Sequence, residues 1–186
     1  MDDDMILDLY WARSESAINE TAKKYGRYCS AIANNILRNN EDAEECVNDT
    51  YLKTWDTVPP QRPAIFRAFL GKIARNLSLN EYKKQKTKKR GGDEVALMYN
   101  ELEDCVPSGN NVETEFESSL IIEAINSFLL SLENESRIVF VRRYWYADPI
   151  GAIAARFLMS ESKVKSMLFR TRNTLKKHLE NEGVIL

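Results

Sequence analysis

Two runs of basic side chains are the parts of this 186-residue chain best suited to a chemical task. Lys83 to Arg90, "KKQKTKKR", has six Lys or Arg in eight positions. "FLMSESKVKSMLFRTRNTLKKHL", Phe157 to Leu179, carries six more, at Lys163, Lys165, Arg170, Arg172, Lys176 and Lys177. Side chains of this type bind polyanions; they do not make or break bonds. A catalytic constellation is not visible. Gly-rich phosphate loops and His/Cys/carboxylate clusters with metal-ligand spacing are missing from the sequence. The lone histidine, His178, stands among lysines and is expected to be solvated. The chain is therefore read as a non-enzyme with no metal site and no cofactor. On charge alone, the basic runs are equally two solvated helix ends or two contacts to nucleic acid.

The total charge of −2 hides this pattern. Residues 93–117 hold eight Asp or Glu and no Lys or Arg, a local −8, so the remainder carries +6. Two basic patches separated by an acidic connector suit two sites on one polyanion. Hydrophobic residues make up 44% of the chain, enough for a core, and 7 Gly with 5 Pro argue against a loop-rich β architecture. No apolar run approaches the roughly 20 residues of a membrane span. The start, "MDDDMILDLY", is acidic where a secretory signal would be basic. These features predict a soluble cytoplasmic protein without membrane contact. Cys29, Cys46 and Cys105 are far apart and read as reduced, structural thiols.

Helices must position the basic runs. Ile18, Tyr25, Cys29, Ile32 and Ile36 keep helical spacing over residues 16–38. "NNED" then offers an Asn cap followed by acids, which a helix N-terminus favours. The next helix runs to about Trp55, with Ala43, Val47, Thr50, Tyr51 and Trp55 toward the core. "TVPPQRPA", Thr57 to Ala64, must end it. A third helix has Phe66, Phe69, Leu70, Ile73 and Leu77 on one stripe and fades into the lysine run before "RGG". The acidic segment reads as a linker with a short helical piece around Val95 to Glu103. From about Glu117 new helices follow, through Leu120, Ile121, Ala124, Ile125 and Phe128, then Glu133 to Tyr146, Ile150 to Phe157, and a last helix to about Glu180. The prediction is all-α, with two small helical domains at residues 1–92 and 117–186 and an acidic linker at 93–116.

"PIGAIAARFLMSESKVKSMLFRTRNTL" reads as a helix-turn-helix. Pro149 suits the first helical turn. Ile153, Ala154 and Phe157 face inward, and Ser160 caps the second helix. Val164, Leu168, Thr171 and Leu175 form its buried stripe. Lys163, Lys165, Ser166, Phe169, Arg170 and Arg172 lie opposite. In such a motif the early residues of the second helix reach base edges, which falls on Lys165, Ser166 and Arg170; Lys176 and Lys177 suit phosphate. The bland alternative is an amphipathic helix with solvated lysines.

With these motifs in place, the chain resembles a bacterial RNA polymerase sigma factor of the extracytoplasmic-function type. "NNEDAEECVNDTYLKTWDTVPP" with "FLGKIARNLSLNEYKKQKTKKRGG" is similar to the family's second conserved region. "ESRIVFVRRYWYADPIGAIAARFLMSESKVKSMLFRTRNTLKKHLE" is similar to its fourth. The resemblance implies binding of the promoter's minus-thirty-five element by Lys163, Lys165, Ser166, Arg170 and Arg172. It implies docking of core RNA polymerase on Asp42, Glu45, Asp49 and Leu52, whose offsets of three, four and three put them on one helix face. Spacing alone would leave that face merely solvated. It further implies capture of the melted minus-ten strand by Arg75, Asn76, Asn80, Lys83 and Lys84, with Thr57 to Ala64 as a loop that cups a flipped base; Arg75 could instead pair with an acid on the preceding helix. An anti-sigma factor is a further implied partner. Two departures stand out. Leu158 occupies a turn position where the family often has Gly, and Met167 one where it often has Arg, so another turn geometry and a shifted base preference are expected.

The linker acids are expected to fold back on the basic patches of the free chain as a weak DNA mimic, or to act as a soluble spacer. Two rival readings compete with promoter recognition. A helix-turn-helix regulator that binds duplex without polymerase leaves the acidic face idle. A helical adaptor that binds only proteins leaves the basic helix idle.

Overall fold

The computed structural model describes residues 1–86, 94–103 and 115–183, and every element among them is helical. The chain divides into two units, Met1–Gly91 and Gly92–Leu186.

The first unit packs α1 (Asp3–Trp11), α2 (Ser16–Leu37), α3 (Asn40–Thr57) and α4 (Phe66–Lys86). Helices α2, α3 and α4 pack on one another, and α1 lies against α2. The expected cap is present: the Asn39 side chain accepts from the amides of Glu41 and Asp42. Helix α2 ends on Arg38 in the left-handed region, φ 53°, so Arg38 and Asn39 alone connect α2 to α3. The α4 stripe is shifted from the expected one. Phe66, Leu70, Ala74, Ser78 and Leu79 are buried, while Phe69, Ile73 and Leu77 are half-buried. Glycine at position 71 lets Tyr28 lie close: a Cβ there would collide with the Tyr28 hydroxyl and stand 2.9 Å from its Cζ, so the ring would have to move. Buried hydroxyls are satisfied within their own helices: Thr50 bonds the Cys46 carbonyl at 2.7 Å and Thr54 that of Thr50 at 2.7 Å.

Helix α1 was not expected. Asp2 caps it by accepting from Met5, Asp3 and Asp4 occupy its first turn, and Ile6, Leu7 and Tyr10 are buried. The acids that argued against a secretory signal are thus a helix start. Asp3 accepts from Lys24 at 2.7 Å and from the Tyr25 hydroxyl at 2.5 Å. Although burial pushes the other way, these contacts hold its carboxyl below the ordinary carboxylate value. Burial raises the Cys29 thiol to about 12, in keeping with a structural role; Cys105 lies outside the described residues.

The second unit contains α5 (Glu94–Glu103), α6 (Glu115–Ser131), α7 (Asn134–Tyr144), α8 (Ile150–Phe157) and α9 (Glu161–Asn181). Helix α9 packs on α6, α7 and α8. The helical piece expected around Val95 to Glu103 is α5, with Val95 and Met98 buried; residues 104–114, the remainder of the expected linker apart from its ends, lie outside the described residues. Pro149 stands at the cap of α8, one position before its first turn, and its carbonyl accepts from Ile153.

The turn between α8 and α9 keeps the left-handed geometry that glycine favours: Leu158 has φ 53° and ψ 41°. The expectation of another geometry is therefore corrected. Leucine is held there although its side chain is 95% exposed and packs little. The left-handed region costs an L-residue about 1–2 kcal/mol, partly offset by glycine's greater freedom when unfolded. Leu158→Gly should stabilise the unit by about 0.5–1 kcal/mol, seen as a raised midpoint in chemical denaturation; an unchanged or lowered midpoint would show that the leucine is not strained.

Candidate nucleic-acid and polymerase interfaces

The α8–turn–α9 motif is assembled from local signals. Ile153 and Ala154 of α8 are buried, Ser160 caps α9 by accepting from the Lys163 amide at 3.1 Å, and Val164, Met167, Leu168, Thr171, Leu175 and Leu179 form the inward stripe. Met167 is thus a core residue, and its departure from the expected arginine changes packing and not the outward face. Lys165, Ser166, Phe169 and Arg170 line one shallow patch on that outward face. Lys163 is exposed and pairs with Glu135 at 3.4 Å, and Lys165 pairs with Glu161 at 3.6 Å. Both pairs are solvent-screened and easily exchanged for a phosphate. The Phe169 ring is 58% exposed in the middle of this patch.

Arg172, expected with the same set, has a different setting. It donates to the Tyr144 hydroxyl at 2.7 Å and to Glu101 Oε2 at 3.2 Å, and Tyr144 donates to the same carboxylate oxygen at 2.8 Å. Burial, followed by the neighbouring Glu101 charge, raises the Tyr144 phenol above its ordinary range. Nothing in the sequence pattern paired residues 101 and 172, which are 71 positions apart.

His178 is not solvated as expected. Its Nε2 lies 3.1 Å from the Ala124 carbonyl and 3.1 Å from Ser127 Oγ, and its ring centre is 5.6 Å from that of Phe128. The carbonyl can only accept, which calls for a proton on Nε2. The residue joins α9 to α6.

In the first unit, α3 presents Asp42, Glu45 and Asp49 along one groove, and α4 supplies Asn80, Glu81, Lys83 and Lys84 to the same groove. Leu52, one turn on from Asp49, is 58% exposed. Asp42 accepts from Gln85 Nε2 at 2.9 Å, and Lys84 pairs with Glu81 at 3.4 Å. Two predicted sites therefore adjoin: the acidic row on α3, and the polar side of α4 at Asn80, Lys83 and Lys84. Asn76 is exposed and Arg75 half-buried, both more than a turn earlier on α4. Residues 87–90 of the lysine run lie outside the described residues. The loop before α4 is held from the unexpected α1: Arg62 pairs with Asp8 at 2.9 Å and Asp4 at 3.6 Å.

Comparison with known proteins bears on the first unit. Residues 21–88 match the family described as sigma-70 region 2. Most of the first unit is thus similar to sigma-70 region 2. Its matched span runs from within α2 to the end of α4 and takes in the acidic row, the loop and the polar side of α4. The chain is also similar to a probable RNA polymerase sigma factor, RfaY, of Xanthomonas campestris pv. campestris, at 24% identity over 151 residues. That alignment covers 81% of this chain and 37% of the relative, so the chain spans well under half of the relative's length. Resemblance to sigma factors is thereby supported by the region 2 match and by this relative together. Among the described residues, no group of three or more His, Cys, Asp or Glu could hold a metal ion, and no helix is long and apolar enough to cross a membrane.

Proposed function

We propose that the chain is an RNA polymerase sigma factor of the extracytoplasmic-function type, acting in the cytoplasm without chemistry of its own. The observation that carries this reading is the region 2 match at residues 21–88, because it contains both candidate faces of the first unit. The α3 row of Asp42, Glu45 and Asp49, edged by exposed Leu52, offers a basic, partly apolar partner surface on core polymerase complementary charge and an anchor. The polar side of α4, Arg75 to Lys84, grips the separated minus-ten strand. Opening duplex gives up stacking worth about 1.4 kcal/mol per base-pair step, which contacts to flipped bases and backbone must offset. Loop 57–64 would cup one such base, its prolines reducing the ordering cost. In the second unit, Lys163, Lys165, Ser166 and Arg170 on α9 read minus-thirty-five duplex. An anti-sigma factor covering these faces fits the same reading.

The second reading, a duplex-binding regulator without polymerase, is favoured by one observation, the exposed basic patch on α9. Mixing the purified chain with core polymerase and a promoter library separates them. Promoter-dependent transcripts are expected. Duplex binding with no polymerase association would overturn the sigma-factor reading.

A further inference from the structure

One arginine on the outward side of α9 is covered. Lys165, Phe169, Arg172 and Lys176 follow at offsets of four, seven and eleven, which places them on one helical stripe. Yet the Lys165 side chain is 61% exposed and that of Arg172 only 16%. Between Arg172 and solvent stand Tyr144 of α7 and Glu101 of α5, joined by the hydrogen bonds described above; Arg143 Nε lies 3.8 Å from the same carboxylate oxygen.

Glu101 is an unusual choice for that place. It lies in the last turn of α5, where the helix dipole disfavours an anion and no basic residue of the helix compensates. Local propensity therefore does not explain it; the cationic notch across from it does. Val95, Met98 and Glu101 recur every three residues, so the buried side of α5 ends on this carboxylate.

We propose that the notch formed by Arg172 and Tyr144 is a DNA-phosphate site, and that Glu101 is the internal anion that fills it while DNA is absent. The proposal rests on the reading of α9 as a duplex-binding helix. A phosphate offers a guanidinium and a hydroxyl the same acceptor oxygens as a carboxylate does. Arg172 lies about 10 Å along the axis from Lys165, past the residues that reach base edges, where a recognition helix leaves the groove and meets backbone. Because Glu101 is tethered, it competes at an effective concentration on the order of millimolar. Weak, non-specific duplex is then resisted, while a promoter that also engages Lys165, Ser166 and Arg170 displaces it.

The test uses the full chain and a fluorescent mixed-sequence duplex, with anisotropy followed across salt concentration. Glu101→Gln should tighten binding roughly three- to tenfold, the range one charge-assisted contact commands. It should also steepen the log–log salt slope by about 0.9, one additional phosphate. Arg172→Gln should weaken binding, and Glu101→Gln should add nothing in that background. In the unmodified chain, duplex should speed amide exchange within α5. If Glu101→Gln binds no tighter while Arg172→Gln still weakens binding, or if α5 keeps its protection with duplex bound, Glu101 is a brace and the proposal is overturned with the reading of α9 intact. If Lys165→Gln and Arg170→Gln also leave duplex binding unchanged, the reading of α9 itself falls.

Discussion

Reversing Asp42, Glu45 and Asp49 together to lysine is expected to remove measurable association with core polymerase. These carboxylates share one groove wall of the first unit, and a basic docking surface would then meet three like charges. Such juxtapositions cost several kcal/mol at an interface, so a loss of at least about a hundredfold in affinity is expected. The fold should survive, because Glu45 and Asp49 are exposed and Asp42 gives up one hydrogen bond, to Gln85. Pull-down or interferometry against core enzyme reads the result, with circular dichroism checking the helices. Undiminished attachment would place the polymerase contact elsewhere and remove the main support for anchoring through α3.

Phe66→Ala should produce the largest loss of stability in the first unit. The ring is buried at the start of α4 and meets Tyr10 of α1 and Tyr25 of α2 edge-on, with centroids 6.0 and 5.8 Å away. Removing a buried phenyl group costs about 3–5 kcal/mol through lost transfer energy and the cavity left behind. A domain of this size has a total stability of about 5–15 kcal/mol, so the variant would lose roughly a fifth or more of it in denaturant titration. Loss of the Phe66 ring also loosens the seat of α1, whose Asp4 and Asp8 hold Arg62 of the loop. A loss under about 1 kcal/mol would mean that the three aromatic rings can close over the gap.

Much of the fold was legible because its signals are local. The Asn39 cap, the proline break after Thr57, the Ser160 cap and the bounds of α8 each depend on neighbours within a turn or two. The acidic row was legible because its spacing is that of one helix face. What was missed depends on contacts that are distant in sequence. The aspartates at the start were weighed as charge, and their capping of α1 became visible only with Ile6, Leu7 and Tyr10 turned inward; that apolar spacing was the available signal. His178 looked solvated among lysines, yet its position two turns past Thr171 brings it to the end of α6. Arg172 keeps the helical spacing of Lys165 and Phe169, but no periodicity in the chain could pair it with Glu101. Leu158 misled in another way. A residue with no preference for the left-handed region was taken to mean a different turn, whereas the packing of α8 on α9 enforces the same one.

Helix α8, eight residues long, is bounded by two joints in the left-handed region that contain no glycine: Ala147 with φ 54° before it and Leu158 with φ 53° after it. Both ends of a short rod are thus held slightly wound. The packing of α8 on α7 and α9 therefore has to hold both joints in a region that L-residues rarely adopt, which offsets part of the stability that packing contributes.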